Sequence, residues 1–66
     1  GVMVSVQAAE ADVLPLLAGC EAEVSVAAVN GPRSTVISGS ESAVMEIAGQ
    51  FEAQGVKTKR LRVSHA

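Results

Sequence analysis

The sequence predicts an α+β fold, in which one four-stranded antiparallel sheet carries two helices on the same face. Gly and Pro residues divide the 66-residue chain into six short segments. Four segments have the Val-rich or alternating pattern of strands, and two have the spacing and end signals of helices. Their order along the chain is strand, helix, strand, strand, helix, strand, which is the split βαβ arrangement of ferredoxin-like folds, βαββαβ.

The first half of the chain predicts one strand and one short helix. Residues 2–7 alternate Val with other residues, which places the three Val side chains on one face. Residues 10–18 predict a helix with two acids in its first turn, where the helix dipole favours negative charge. Pro15 should kink this helix or restart it as a fresh turn, and Gly19 should end it.

The next segments predict a β-hairpin. Residues 24–29 and 34–38 have strand composition, and the short connection between them favours antiparallel pairing. The connection contains Asn30, Gly31 and Pro32, which are typical turn residues. These three residues therefore predict the turn.

The second predicted helix, residues 41–54, has the clearest pattern. Ser40 is a good N-cap, and Gly55 is a natural stop. Residues 56–63 predict the last strand. A single buried stripe of the helix is predicted by four apolar residues at i, i+3, i+4 and i+7: Val44, Ile47, Ala48 and Phe51.

Two helices on one face leave the other face of the sheet open. In residues 26–29, a strict alternation makes both faces apolar, with Ala27 and Val29 opposed to Val26 and Ala28. We therefore expect that something outside this chain covers the open face.

Composition limits the setting of the chain. Its single cysteine, Cys20, allows no internal disulfide, and with only the distant His65 it makes a zinc site implausible. A lone thiol fits a reduced, cytoplasmic compartment. No segment resembles a signal peptide, and no apolar run approaches the roughly 18 residues of a membrane span.

The charges are distributed unevenly. Residues 1–32 contain four acids and no base, whereas all five bases lie in residues 33–66. The basic segment formed by Lys57, Lys59, Arg60 and Arg62 could meet an anionic partner, or it could be an ordinary solvated strand face.

Searches for catalytic and binding motifs exclude several functions. The chain has no Gly-rich phosphate loop, no Gly-x-Ser-x-Gly elbow and no obvious carboxylate pair. The predicted central strands lack the aromatic residues that stack RNA bases, and the chain lacks the Cys-x-x-Cys of metal carriers. The sequence therefore predicts no catalytic residue and no bound metal or cofactor.

Four segments resemble the acyltransferase domains of modular type I polyketide synthases, the malonyl-CoA:acyl carrier protein transacylase family. They are the opening Gly-Val-Met, residues 24–32 (Val-Ser-Val-Ala-Ala-Val-Asn-Gly-Pro), residues 35–39 (Thr-Val-Ile-Ser-Gly) and residues 63–66 (Val-Ser-His-Ala). The resemblance covers the whole chain, residues 1–66, as the small ferredoxin-like subdomain. It departs at Ala9, where many relatives have a capping Ser.

The resemblance implies a division of labour. A large α/β subdomain carries the nucleophilic serine, and the catalytic histidine is the second His of a His-Ala-Phe-His stretch. Acyl groups pass from coenzyme A to that serine, and then to the phosphopantetheine thiol of an acyl carrier protein. The small subdomain forms one wall of the cleft, so by itself it should be inactive.

Residue by residue, the resemblance assigns three substrate-binding positions and one docking surface. His65 and Ala66 match the start of the His-Ala-Phe-His form, which goes with malonyl selection, and Asn30 matches a residue near the cleft. From the sequence alone, a turn-forming role for Asn30 is at least as well supported as substrate binding. His65 could likewise be a surface residue near the chain end. The basic segment becomes a candidate surface for docking the carrier protein, because carrier proteins are acidic.

Two other functions fit the predicted fold. The chain could be an independent ferredoxin-like interaction or small-ligand-binding module, or a structural domain that dimerises through its open face. The sequence that follows residue 66 discriminates among them, since Phe-His-Ser-Pro would support the acyltransferase.

Overall fold

A computed structural model of the chain describes residues 1–61. These residues form the six predicted elements in the predicted order. The strands are β1 (Val2–Val6), β2 (Val24–Gly31), β3 (Ser34–Gly39) and β4 (Thr58–Leu61), and the helices are α1 (Glu10–Leu17) and α2 (Glu41–Ala53). Neither helix of this part of the chain has the length needed to cross a membrane.

The four strands form one sheet in the order β2-β3-β1-β4. Every neighbouring pair is antiparallel, including the β2–β3 hairpin. The predicted α+β fold class is therefore confirmed. In this order β2 and β4 are the two edge strands, and the ends of β2 and of the described part of β4 lie at opposite ends of the sheet.

The core lies between the sheet and the two helices. The predicted stripe of α2 is buried there, and Phe51, the only aromatic side chain, is 2% exposed. The stripe packs with the buried Val side chains of β1 and with Ile37 of β3. The prediction that Phe51 belongs to the core is therefore confirmed.

Helix α1 passes through Pro15 without a break, so the predicted restart does not occur. Pro15 has no N–H to donate to the Ala11 carbonyl, so α1 loses one backbone hydrogen bond there and ends two residues later at Leu17. Ala9 occupies the N-cap position and provides no side-chain hydrogen bond. Gly19 follows α1 with a φ of 85°, which is the conformation that a glycine stop supplies.

The ends of α2 differ in detail from the prediction. Ser40 is the N-cap residue, but its side chain makes no cap hydrogen bond, and its hydroxyl lies 3.5 Å from the Glu23 carboxylate. After the helix, the Val56 N–H donates to the Phe51 carbonyl at 2.9 Å. Because Val56 is tied to the helix end, β4 begins at Thr58 rather than at residue 56.

The β2–β3 turn lies later than predicted. β2 continues through Asn30 and Gly31, and the turn consists of Pro32 and Arg33. Neither Asn30 nor Gly31 has a positive φ. The prediction that Asn30 forms the turn is therefore wrong.

A bulge in β2 also changes which residues share a face. Val26 pairs with Ile37 and Ala28 pairs with Val36, so Ala27 is an extra residue between them. The bulge restarts the alternation, and Val26 and Val29 therefore both face the helix side of the sheet. The strict alternation predicted for residues 26–29 is wrong.

The open face, opposite the helices, has an apolar part and a polar part. Its large apolar residues are Met3, Val36 and Leu61. Met3 pairs directly with Leu61, whereas Val36 pairs with Ser5, two residues further along β1. Towards the β2–β3 turn, the same face presents Ser5 and Lys59, which pair with each other. Val36 is only 3% exposed, although it lies outside the core between sheet and helices.

Candidate substrate and docking surfaces

The basic segment does not form one surface. Lys59 pairs with Ser5 and faces the open side of the sheet, whereas Arg60 pairs with Val4 and faces the helix side. There the Arg60 guanidinium lies 3.1 Å from the Glu41 carboxylate, in an ion pair that solvent largely surrounds. Such an exposed pair contributes little stability, but it partly neutralises Arg60.

The remaining bases of the segment stay apart from that ion pair. Lys57 and Lys59 are exposed. The Lys57 carbonyl accepts a hydrogen bond from the Gln7 N–H at 2.9 Å, which continues the β1–β4 pairing beyond the last ladder residue. Because strand alternation places every second residue on one face, Lys57 shares the open side with Lys59. Arg62 lies outside the described residues.

Asn30 is the extra residue of a second bulge in β2. Its neighbours Val29 and Gly31 pair with Thr35 and Ser34, which leaves Asn30 without a ladder partner. Its side chain is exposed. Bulges are over-represented next to active sites, where they redirect a side chain. With the turn role removed, this bulge is the structural feature that sets Asn30 apart.

The other two predicted substrate-binding residues, His65 and Ala66, lie outside the described residues. The described part of β4 ends at Leu61, beside Met3. Asn30 lies on the other edge strand, at the other end of the sheet. Residues 1–61 therefore do not bring Asn30 together with the end of β4.

Sequence reasoning missed Arg33. This residue lies in the β2–β3 turn, and its exposed side chain lines a groove on the open face together with Ser5, Gln7 and Ser34. In the sequence Arg33 lies far from the other four bases, so no cluster of charges marks it as a candidate binding residue. The antiparallel pairing of β1 with both β3 and β4 brings it to the same end of the open face as Lys57 and Lys59.

The described residues offer little chemistry of their own. Residues 1–61 contain no group of three His, Cys, Asp or Glu side chains that could hold a metal ion. Cys20 is a free, half-buried thiol. The one buried polar side chain in this part is Thr35, whose hydroxyl donates to the Ala8 carbonyl at 2.8 Å. This hydrogen bond ties the β1–α1 connection to the sheet, which is a structural role.

Polyketide synthases match the chain over its whole length. It is 59% identical to part of the spectinabilin polyketide synthase system protein NorB of Streptomyces orinoci, and 56% identical to part of mycoketide-CoA synthase of Mycobacterium tuberculosis. The chain spans only 3% and 2% of the lengths of these two relatives. No family model matches the chain.

Solved acyltransferase domains match it in structure. The acyltransferase domain from the second module of the salinomycin polyketide synthase superposes with a TM-score of 0.92 at 58% identity, over 98% of this chain and 15% of that one. The acyltransferase domain of SpnD, in complex with 2-(pent-4-yn-1-yl)malonyl, gives 0.83 at 37% identity, over 94% and 14%.

The fold and the matches agree on what the chain resembles. By its sheet order and helix placement, it is a ferredoxin-like α+β unit. By sequence and structure together, it matches the small subdomain of the acyltransferase domain of modular type I polyketide synthases. The resemblance carried by the four sequence segments is therefore confirmed.

Proposed function

We propose that residues 1–66 form the small subdomain of an acyltransferase that loads malonyl-type units from coenzyme A onto an acyl carrier protein. The observation that carries this proposal is the match of 98% of the chain, at 58% identity and a TM-score of 0.92, to part of a polyketide synthase acyltransferase domain. The cytoplasmic location predicted from the lone cysteine stays a prediction.

In this proposal the large α/β subdomain supplies the chemistry. Covalent acyl transfer needs a nucleophile activated by an adjacent base. The chain has one histidine, His65, and no Gly-x-Ser-x-Gly elbow, so the serine and its base come from elsewhere in the domain. The small subdomain contributes the shape of the cleft, substrate selection and docking of the carrier protein.

The apolar part of the open face supports contact with that large subdomain. Met3 and Leu61 are cross-strand neighbours and only half-buried. Apolar side chains grouped on an uncovered sheet face favour a covering partner. We propose that the polar part of the face, towards the β2–β3 turn, lines the cleft. Asn30 lies near that turn. From the resemblance alone, His65 and Ala66 are proposed to line the acyl pocket, and Asn30 a separate part of the cleft wall.

Labelled malonyl-coenzyme A tests the proposed function. In the intact acyltransferase domain that contains this chain, we expect one covalent acyl group, which passes to a carrier protein. The 66-residue chain alone should take up none, because it lacks the serine elbow. Mass spectrometry of both proteins measures the acylation. Stable acylation of the isolated chain at any Ser, or an intact domain that accepts no acyl-coenzyme A, contradicts the proposal.

The docking proposal rests on the exposed Lys57 and Lys59, with Arg62 included from the sequence. Arg60 contributes less, because Glu41 partly neutralises it. Surface charges of this kind mainly change the association rate and its salt dependence. They should therefore act on the encounter with the acidic carrier protein rather than on chemistry.

Adjacent positions of β4 provide a matched test of docking. In the intact domain, Lys59→Gln should slow transfer to the carrier protein about two- to fivefold at low salt, and leave self-acylation at saturating malonyl-coenzyme A unchanged. Arg60→Gln removes the same charge from the opposite face and should change transfer much less. Quench-flow assays at two ionic strengths measure the rates of self-acylation and of transfer to the carrier protein. Equal losses in both half-reactions would indicate a folding role for Lys59.

A further inference from the structure

The groove on the polar part of the open face consists entirely of polar residues. It is lined by Ser5, Gln7, Arg33 and Ser34, and no carboxylate lines it. All four side chains can donate hydrogen bonds, through two hydroxyls, an amide and a guanidinium. A concave surface with several donors and one fixed positive charge suits a small oxyanion.

Arg33 is available for such an anion. The ion pair between Arg60 and Glu41 is the one salt bridge within residues 1–61, so the Arg33 guanidinium has no carboxylate partner in that range. Asp12 lines a neighbouring groove on the helix side together with Arg33, but the two make no ion pair. A planar guanidinium can bind two phosphate oxygens at once, which an ammonium group cannot do.

The surroundings of the groove strengthen its positive potential. Lys59 is the direct cross-strand partner of Ser5, and the Lys57 backbone bonds to the Gln7 backbone. Two groove residues thus adjoin lysines, Lys59 on β4 and Lys57 just before it. Clefts lined by one sign of charge concentrate ligands of the opposite sign.

We propose that this groove binds the phosphate of the 4′-phosphopantetheine group, with Arg33 as its principal contact. The inference rests on the proposed function, because coenzyme A and a loaded carrier protein both carry their thioester on this group. One phosphate site can therefore serve both half-reactions. Arg33 acts on substrate binding, and the groove takes no part in bond making.

Three thioesters test the site in the intact acyltransferase domain: malonyl-coenzyme A, malonyl-phosphopantetheine and malonyl-pantetheine, which lacks the phosphate. Arg33→Gln should raise KM about 3- to 10-fold for the first two and leave KM for the third unchanged. The KM for the phosphopantetheinylated carrier protein should rise similarly. Arg33→Lys should recover part of the loss, and Arg60→Gln, which removes the same charge, should leave the KM values for the three small thioesters unchanged.

The outcomes separate this inference from the proposed function. An unchanged KM for malonyl-coenzyme A in an active domain overturns the phosphate site. An equal rise for all three thioesters shows a folding or positioning role, and also overturns it. A rise in KM for the carrier protein alone would show that Arg33 acts in docking. A rise in KM for malonyl-coenzyme A without one for malonyl-phosphopantetheine would place the Arg33 contact on the nucleotide. Either outcome overturns the shared phosphate site. A wild-type domain that transfers no acyl group instead refutes the proposed function, and the inference fails with it.

Discussion

Gly39→Ala should destabilise the fold by about 3 kcal/mol or more, most of the stability that a domain of this size usually has. Gly39 ends β3 with a φ of 153°, which residues with a side chain rarely adopt. A Cβ atom at this position would lie 1.8 Å from the Glu23 carbonyl oxygen. That oxygen cannot move away cheaply, because it accepts the Ser40 N–H at 2.9 Å where β2 begins.

The matched control for this prediction is Gly49→Ala. Gly49 lies within α2, and a Cβ atom there meets nothing within 4 Å. The same substitution should therefore stabilise the fold by about 0.5–1 kcal/mol, since Ala favours the helix. Urea denaturation of the chain, and thermal denaturation of an acyltransferase domain containing it, measure both changes. A Gly39→Ala variant as stable as Gly49→Ala would show that β2 and β3 separate at this point without cost.

The elements that the sequence predicted well are those with local signals. Helix α2 combines a periodic stripe with a cap residue and a glycine stop, so its position follows from neighbouring residues alone. The sheet pairing followed from segment order, because the short β2–β3 connection allows antiparallel pairing. For α2 and the β2–β3 hairpin, the information lies within a few residues of the element, whereas the pairing of β1 with β3 and β4 rests on the order of all six segments.

The errors arose where pairing with another strand decides the conformation. Asn30 and Gly31 have turn propensity, yet both extend β2, because the chain reverses at Pro32 and Arg33. The bulge at Ala27 exists only relative to β3, since an extra residue is defined by its partner strand. The residue propensities of β2 alone therefore cannot predict its register with β3.

The candidate site shows the same division. The basic residues of β4 are neighbours in sequence, but alternation sends Lys59 and Arg60 to opposite faces. Arg33 is distant from them in sequence and reaches their end of the open face only through the sheet. The sequence therefore predicts an anionic partner, and this stays a prediction, while the pairing of β1 with its two neighbours determines which bases share a face.

The largest functional effect that we expect concerns His65 and the motif that it begins. In the resembling family, the His-Ala-Phe-His form goes with malonyl units and a Tyr-Ala-Ser-His form with methylmalonyl units. In that family form the bulk of the His and of the Phe would crowd an α-methyl group on the acyl chain, and we propose this role for His65. One methyl in an apolar pocket is worth only about 1–3 kcal/mol, so this feature should give a selectivity of about 10–200-fold.

Competition between malonyl- and methylmalonyl-coenzyme A in the intact domain measures that selectivity. His65→Tyr alone should lower the preference for malonyl units only modestly, because the other motif positions also contribute. The complete motif exchange should remove most of the about 10–200-fold preference. In the same domain, Asn30→Ala, at an exposed bulge position, should slow acylation by both thioesters, and an unchanged rate would show that Asn30 does not line the cleft. If the product ratio stays constant in both the single variant and the motif exchange, His65 is a surface residue with no part in selection.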